Sequence, residues 1–212
     1  TSKIFINDSY LIDGFDFKSE LERISNFFPK CFVNPSYAEG AITLAKIWWG
    51  LVASWYNETK IAYDLLKPSK FPRYYGNDSD KTNDIMTPLF FNYAALAAVD
   101  LNKINEAEEF LYHARDAYSK YDLPNNFQAL FSDFIEIKIA FKAGDPYSAY
   151  LLLDELREEI LSQVFDYGDG FFLDEDINIF INEFIDLTFE LKKINENFFV
   201  DPLFLFELKN LV

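Results

Sequence analysis

Apolar residues return every three or four positions along most of this chain, and the periodic runs are cut by Pro, Gly, Asn and Asp. That spacing predicts helices, with no convincing pair of strands. Ser19–Phe28 reads as a short amphipathic helix ahead of Pro29. Ser36-x-x-Glu39 is a capping box, in which each side chain satisfies the other residue's free backbone N–H, and it opens a long helix through Trp48, Trp49 and Trp55. Asn57 closes that helix, and a second one runs to Leu66 before Pro68. Thr87-Pro88 supplies a cap and a first-turn proline ahead of a helix carrying Phe91, Ala94, Ala95 and Ala98. Asn105-x-x-Glu108 is a second capping box, and its helix places Ala107, Leu111, Ala114 and Tyr118 on one face. Further helices are predicted over Asn126 to Ala143, from Asp145-Pro146 through Leu153 and Leu156, over Asp174 to Ile194, and from Asp201-Pro202. About nine helices and no sheet define an all-α chain.

Three segments share one spacing: Ala53-x3-Asn57-x4-Ala62-x3-Leu66, Ala98-x3-Asn102-x4-Ala107-x3-Leu111 and Ala140-x3-Gly144-x4-Ala149-x3-Leu153. A small residue late in one helix, Asn or Gly where it stops, and a second small residue early in the next let two antiparallel helices pack closely. The expected crossings are Ala53/Ala62, Ala98/Ala107 and Ala140/Ala149. The pattern resembles tetratricopeptide repeats over about residues 46–157. Ile137, Ala140, Gly144, Asp145, Ala149, Leu153 and Leu156 carry the likeness best, Phe91, Ala95, Ala98, Ile104, Ala107, Leu111 and Ala114 similarly, and Gly50, Ala53, Ala62 and Leu66 more loosely. The copies lie 45 and 42 residues apart, against about 34 in that family, which implies an irregular stack.

With 212 residues, half of them hydrophobic, the chain can bury a sizeable core, and its 24 Phe and 13 Tyr imply wide gaps between helices filled by large rings. A single all-α domain is expected over residues 1–212, with a helical-hairpin core at 36–194, a flexible N-terminus at 1–18 and a long loop at 67–87. No apolar run is long enough to span a bilayer, Thr1 to Asp13 lacks a signal-peptide pattern, and a lone Cys fits a reducing, cytoplasmic setting.

Charge changes the picture more than composition does. The total of −16 is lopsided: residues 1–80 carry 9 bases against 10 acids, whereas residues 143–190 carry 13 acids and one base, Arg157. Such a surface repels nucleic acid, whose binding requires clustered Lys and Arg, and favours a basic protein. The residues expected to form the binding edge are Asp154, Glu155, Glu158, Glu159, Asp166, Asp169, Asp174, Glu175 and Asp176. Asp154/Glu158 and Glu155/Glu159 stand one helical turn apart, where like charges repel by a few tenths of a kcal/mol, a cost that a solvated helix face tolerates.

Catalytic signals are sparse. His113 has no second His to work with, and Cys31 is expected to be buried. There is no phosphate-binding loop, dinucleotide fingerprint, nucleophile elbow or zinc-ligand spacing. The acidic stretch Asp166 to Asp176 fails as a calcium loop, because aligning Gly170 with the loop glycine puts Phe165 and Tyr167 at ligand positions. No cofactor or metal is expected.

In size, acidity, helical hairpins and the closing segment Leu191 to Leu208, where a helix gives way to a short stretch, Pro202 and a last apolar turn, the chain is similar to the all-helical bacterial immunity proteins that neutralise toxins. The resemblance implies a cytoplasmic protein that occludes a basic toxin, commonly a nuclease, its acids standing in for phosphate. Two alternatives stay open: a repeat-type adaptor binding a peptide in a groove with Trp48, Trp55 and Tyr63, and a helical hydrolase using paired carboxylates.

Overall fold

The computed structural model describes residues 16–30 in part, 35–67, 81–120, 127–163, 174–198 and 201–209. From residue 35 onward the described residues form eight helices and no strand: α1 Pro35–Trp55, α2 Thr59–Leu66, α3 Lys81–Asp100, α4 Ile104–Lys120, α5 Phe127–Lys142, α6 Pro146–Gln163, α7 Asp174–Ile194 and α8 Pro202–Lys209. The chain divides into two compact units, Thr1–Trp49 and Gly50–Val212. In the first, Asp16 caps a helical stretch upstream of the expected start at Ser19, its carboxylate accepting from the Ser19 backbone N–H at 3.1 Å and the Ser19 hydroxyl at 2.5 Å.

The second unit is organised by three hairpin turns with the same backbone hydrogen-bond pattern. Asn57 and Asn102 adopt φ of 58°, and Gly144 adopts 93°, the left-handed conformation that Gly and Asn reach most readily. At each turn the left-handed residue donates its N–H to the carbonyl three back, Ser54, Val99 or Phe141, and the next residue donates to the carbonyl five back, Ala53, Ala98 or Ala140. The residue after the left-handed one is also the N-cap of the following helix: the N–H of Ala62, Ala107 and Ala149 bonds to the carbonyl of Glu58, Lys103 and Asp145. The repeated spacing is thus the register of one turn in which a helix end and the next helix start share a residue.

The observed helix starts correct two expected caps. Helix α4 starts at Ile104, so Asn105 and Glu108 lie inside it; α1 begins at Pro35, which places Ser36 inside the helix. Asp145 and Asp201 do cap, their carboxylates accepting from the backbone of Ser148 at 3.0 Å and Leu203 at 2.9 Å. Thr87-Pro88 is not a start either. Helix α3 begins at Lys81 and carries Pro88 in its interior, so the loop expected at 67–87 ends earlier. Proline there removes one intrahelical hydrogen bond, but every residue from Pro88 to Val99 is buried, and packing sustains the helix through it.

Helix α3 is accordingly the centre of the second unit, packed by α2, α4 and α5; α4 and α6 also lie on α5, and α7 touches α5, α6 and α8. Ala53, Ala62, Ala98, Ala107 and Ala149 are all fully buried. The third expected crossing differs. Ala140 is half-buried, so its contribution is the carbonyl bond rather than close packing. Between α1 and α2 the close approach is at Gly50, where a Cβ would stand 2.6 Å from Leu66 Cγ.

Large rings fill the gap between α5 and α7. Phe180 meets Phe134 edge-on at 5.4 Å and Phe131 at 6.2 Å, and Phe184 meets Phe204 of α8 at 5.8 Å. Buried polar groups are partnered across helices: the Asn92 amide donates to the Gln128 carbonyl at 3.0 Å and side chain at 3.1 Å, and the Ser132 hydroxyl donates to Asn92 at 2.8 Å. Lys138 on α5 bridges Asp100 of α3 at 2.7 Å and Glu183 of α7. Burial alone would pull this amine's pKa down, but the two carboxylates outweigh it and hold the lysine charged.

Candidate functional site

Helix α6 carries four acids and one base in six residues, Asp154 to Glu159. Its apolar stripe, Ala149, Leu153, Leu156 and Ile160, is buried, which fixes the opposite side in solvent. Glu155, Glu158 and Glu159 are exposed and Asp154 is half-exposed. Arg157 pairs with Glu158 at 2.7 Å and Asp154 at 3.4 Å. Its Nε is buried without a hydrogen-bond partner, so the side chain is held by its terminal nitrogen against its own helix. These two helical pairs are the acids of the expected edge that lie on α6.

A groove of about 180 Å³ lies between α5 and α6. Glu155 and Glu159 line it from α6, Asp133 and Glu136 from α5, and Ile137, Leu152 and Leu156 supply apolar lining. Arg115 of α4 reaches α5 here, bonding to Asp133 at 2.7 Å and Glu136 at 2.5 Å. Burial pulls the guanidinium's pKa down, and the bonds to Glu136 and Asp133 more than reverse that pull. Asp133 and Glu136 were not among the residues expected at a site. Two acids three apart look like any solvated helix face, and only the packing of α4 on α5 brings Arg115 to them.

The remaining expected acids do not all join this surface. Asp166 and Asp169 lie outside the described residues, as does Cys31; Asp174 and Glu175 are in the first turn of α7. Asp176 is a correction. It is 1 % exposed, and its carboxylate accepts from the Tyr93 hydroxyl at 2.5 Å and the Trp55 indole N–H at 3.1 Å, tying α7 to α3 and α1. A count of charge along a chain cannot tell such a buried acceptor from a surface acid.

Two of the aromatics expected to line an adaptor groove make polar contacts within the fold. Tyr63 is buried at 2 % exposure and donates to Glu106 at 2.5 Å, while Trp55 is engaged with Asp176. Around Tyr63, Lys67 bonds to its hydroxyl at 3.0 Å and to Glu106 at 2.9 Å, and Lys103 sits 3.8 Å over the ring. The Tyr63 and Lys67 hydrogen bonds hold the Glu106 carboxyl down at about 2. This cluster joins α2 to α4. His113 is half-buried between the rings of Phe91 and Tyr112, at 5.2 and 5.6 Å. Among the described residues no three His, Cys, Asp or Glu side chains group so as to hold a metal ion, and no helix is long and apolar enough to cross a membrane.

Set against known proteins, the chain matches no family model, no curated protein and no solved structure.

Proposed function

We propose that this chain is a protein-binding module that takes a basic protein on the acidic surface of α6, and that it acts as an immunity protein, covering the active site of a basic toxin such as a nuclease. The observation that carries the reading is the exposure of Glu155, Glu158 and Glu159 on one ordered helix whose single base, Arg157, is spent on Asp154 and Glu158. Self-repulsion makes such a concentration costly, and a partner of opposite sign offsets it. Carboxylates spaced along a rigid helix substitute for the phosphates a nuclease cleft would otherwise hold. Association of this kind is steered, so it is fast and slows steeply with salt.

The test is capture of the partner from source lysate, followed by association kinetics at two ionic strengths. Reversing Glu155, Glu158 and Glu159 to Lys is expected to slow association by about tenfold or more at low salt, with the fold intact. An unchanged association rate for the same partner would reduce the acidic face to solubilising surface. The three hairpin turns of the same hydrogen-bond pattern favour a second reading, a tetratricopeptide-like adaptor. Such an adaptor would bind an extended peptide from its partner as tightly as the folded partner, whereas an occluding immunity protein would bind the folded partner far more tightly than any peptide from it.

A further inference from the structure

We infer that the groove between α5 and α6 takes an amphipathic basic segment of the partner, with an arginine held between the carboxylate walls and an adjoining apolar side chain on the floor; this rests on reading α6 as the partner-binding surface. Two features of different kind coincide there. Leu152, which lines the groove, is 36 % exposed, and its neighbour Leu151 is 45 % exposed, on a helix whose other solvent-facing positions are largely carboxylates. Leucine in water on so polar a face gains nothing from solvation, and it gains from an apolar cover. Ile137 and Leu156, 2 % and 4 % exposed, extend that apolar lining inward.

Charge identifies the occupant. Four carboxylates line the groove, and Arg115 reaches two of them, Asp133 and Glu136 on the α5 wall. The Arg115 guanidinium already shows that this rim takes an arginine, one of its nitrogens lying within hydrogen-bond distance of two carboxylates. Glu155 and Glu159 present a second pair of carboxylates across from it. A guanidinium laid over leucine with its edge toward carboxylates satisfies both features at once. A phosphate-bearing ligand would meet repulsion on both walls, and a bare inorganic cation would leave the leucines uncovered.

The experiment uses the full chain and two synthetic peptides of equal charge, one with Arg and Leu on a single helical face and one with Ser replacing each Leu, followed by fluorescence anisotropy. The Arg/Leu peptide is expected to bind the wild-type chain about tenfold more tightly, the size given by withdrawing one leucine side chain from water. Leu152→Ser, at a position already exposed, should erase that preference while leaving affinity for the Arg/Ser peptide and the thermal midpoint unchanged. Glu155→Gln with Glu159→Gln should weaken both peptides. Equal binding of the two peptides, or a preference that survives L152S, overturns the groove. In those cases, weakening of both by the Gln pair leaves the acidic-surface reading standing. Failure of both peptides to bind overturns the groove and removes the electrostatic support for that reading as well.

Discussion

Arg115 and Arg157 hold the same place in successive hairpins, each eight residues after the buried alanine that opens its helix, Ala107 and Ala149. Their charges go to different destinations. Arg115 leaves α4 and bonds to Asp133 and Glu136 of α5, so the seam between hairpins is tied by charge as well as by packing. Arg157 stays on α6 with Asp154 and Glu158, and the next acid after each, Glu155 and Glu159, lines the groove instead. The same repeat unit therefore neutralises acids on the neighbouring helix at one copy and acids on its own helix at the next. A cation that crosses between helices ties two elements together; one that stays on its own helix adds no tie between elements.

Five substitutions sharpen that contrast. The largest is expected at Lys138, the most buried of the crossing cations, which joins α3, α5 and α7. Lys138→Met strands Asp100 and Glu183 without their counter-charge and should cost about 3 kcal/mol in urea unfolding, the lower end for breaking a buried pair because both acids retain some water. Ala107→Leu comes next. The Ala107 side chain is fully buried at the α3–α4 turn, and overpacking there should cost roughly 1–3 kcal/mol; an unchanged thermal midpoint would remove the close-crossing assignment.

The two equivalent arginines should then separate. Arg115→Ala is expected to lower stability by about 1 kcal/mol, since the pairs it makes are half-exposed, whereas Arg157→Ala should stay within roughly 0.5 kcal/mol. R157A should instead quicken association with a basic partner, because it leaves α6 more negative. Equal losses of stability from the two would dissolve the contrast. The smallest effect is visible only as the pH falls. Glu106 sits below its ordinary 4.5, at about 2 in the folded chain, so its tie to Tyr63 and Lys67 stabilises fully above 4.5 and is lost as the pH drops from there toward 2. Glu106→Gln should flatten the fall of the thermal midpoint over that window.

Much of the fold could be read from residue order because the turns depend on short-range chemistry. Left-handed backbone selects Asn57, Asn102 and Gly144, and the spacing around them fixes where each helix ends and the next begins. Helix α7 spans Asp174–Ile194 as expected, and α5 falls within one residue of expectation at each end. What could not be read depends on tertiary burial. Pro88 looks like a helix start until the buried run to Val99 is seen, and Lys103 caps α4 by position in the turn rather than by side-chain chemistry. The candidate site follows the same division. The α6 acids stand out as a local excess of charge, but the second wall at Asp133 and Glu136, and the burial of Asp176, arise only when α5 and α7 pack.

The most direct test of the α6 surface is carboxyl footprinting of the chain alone and bound to the basic protein it captures, with each labelled acid read by mass spectrometry. Glu155, Glu158 and Glu159 should lose labelling on binding, while Glu58 and Asp64 around α2, also exposed, should label as before. Protection around α2 with the three α6 glutamates labelled unchanged would contradict the account and place the partner elsewhere on the chain.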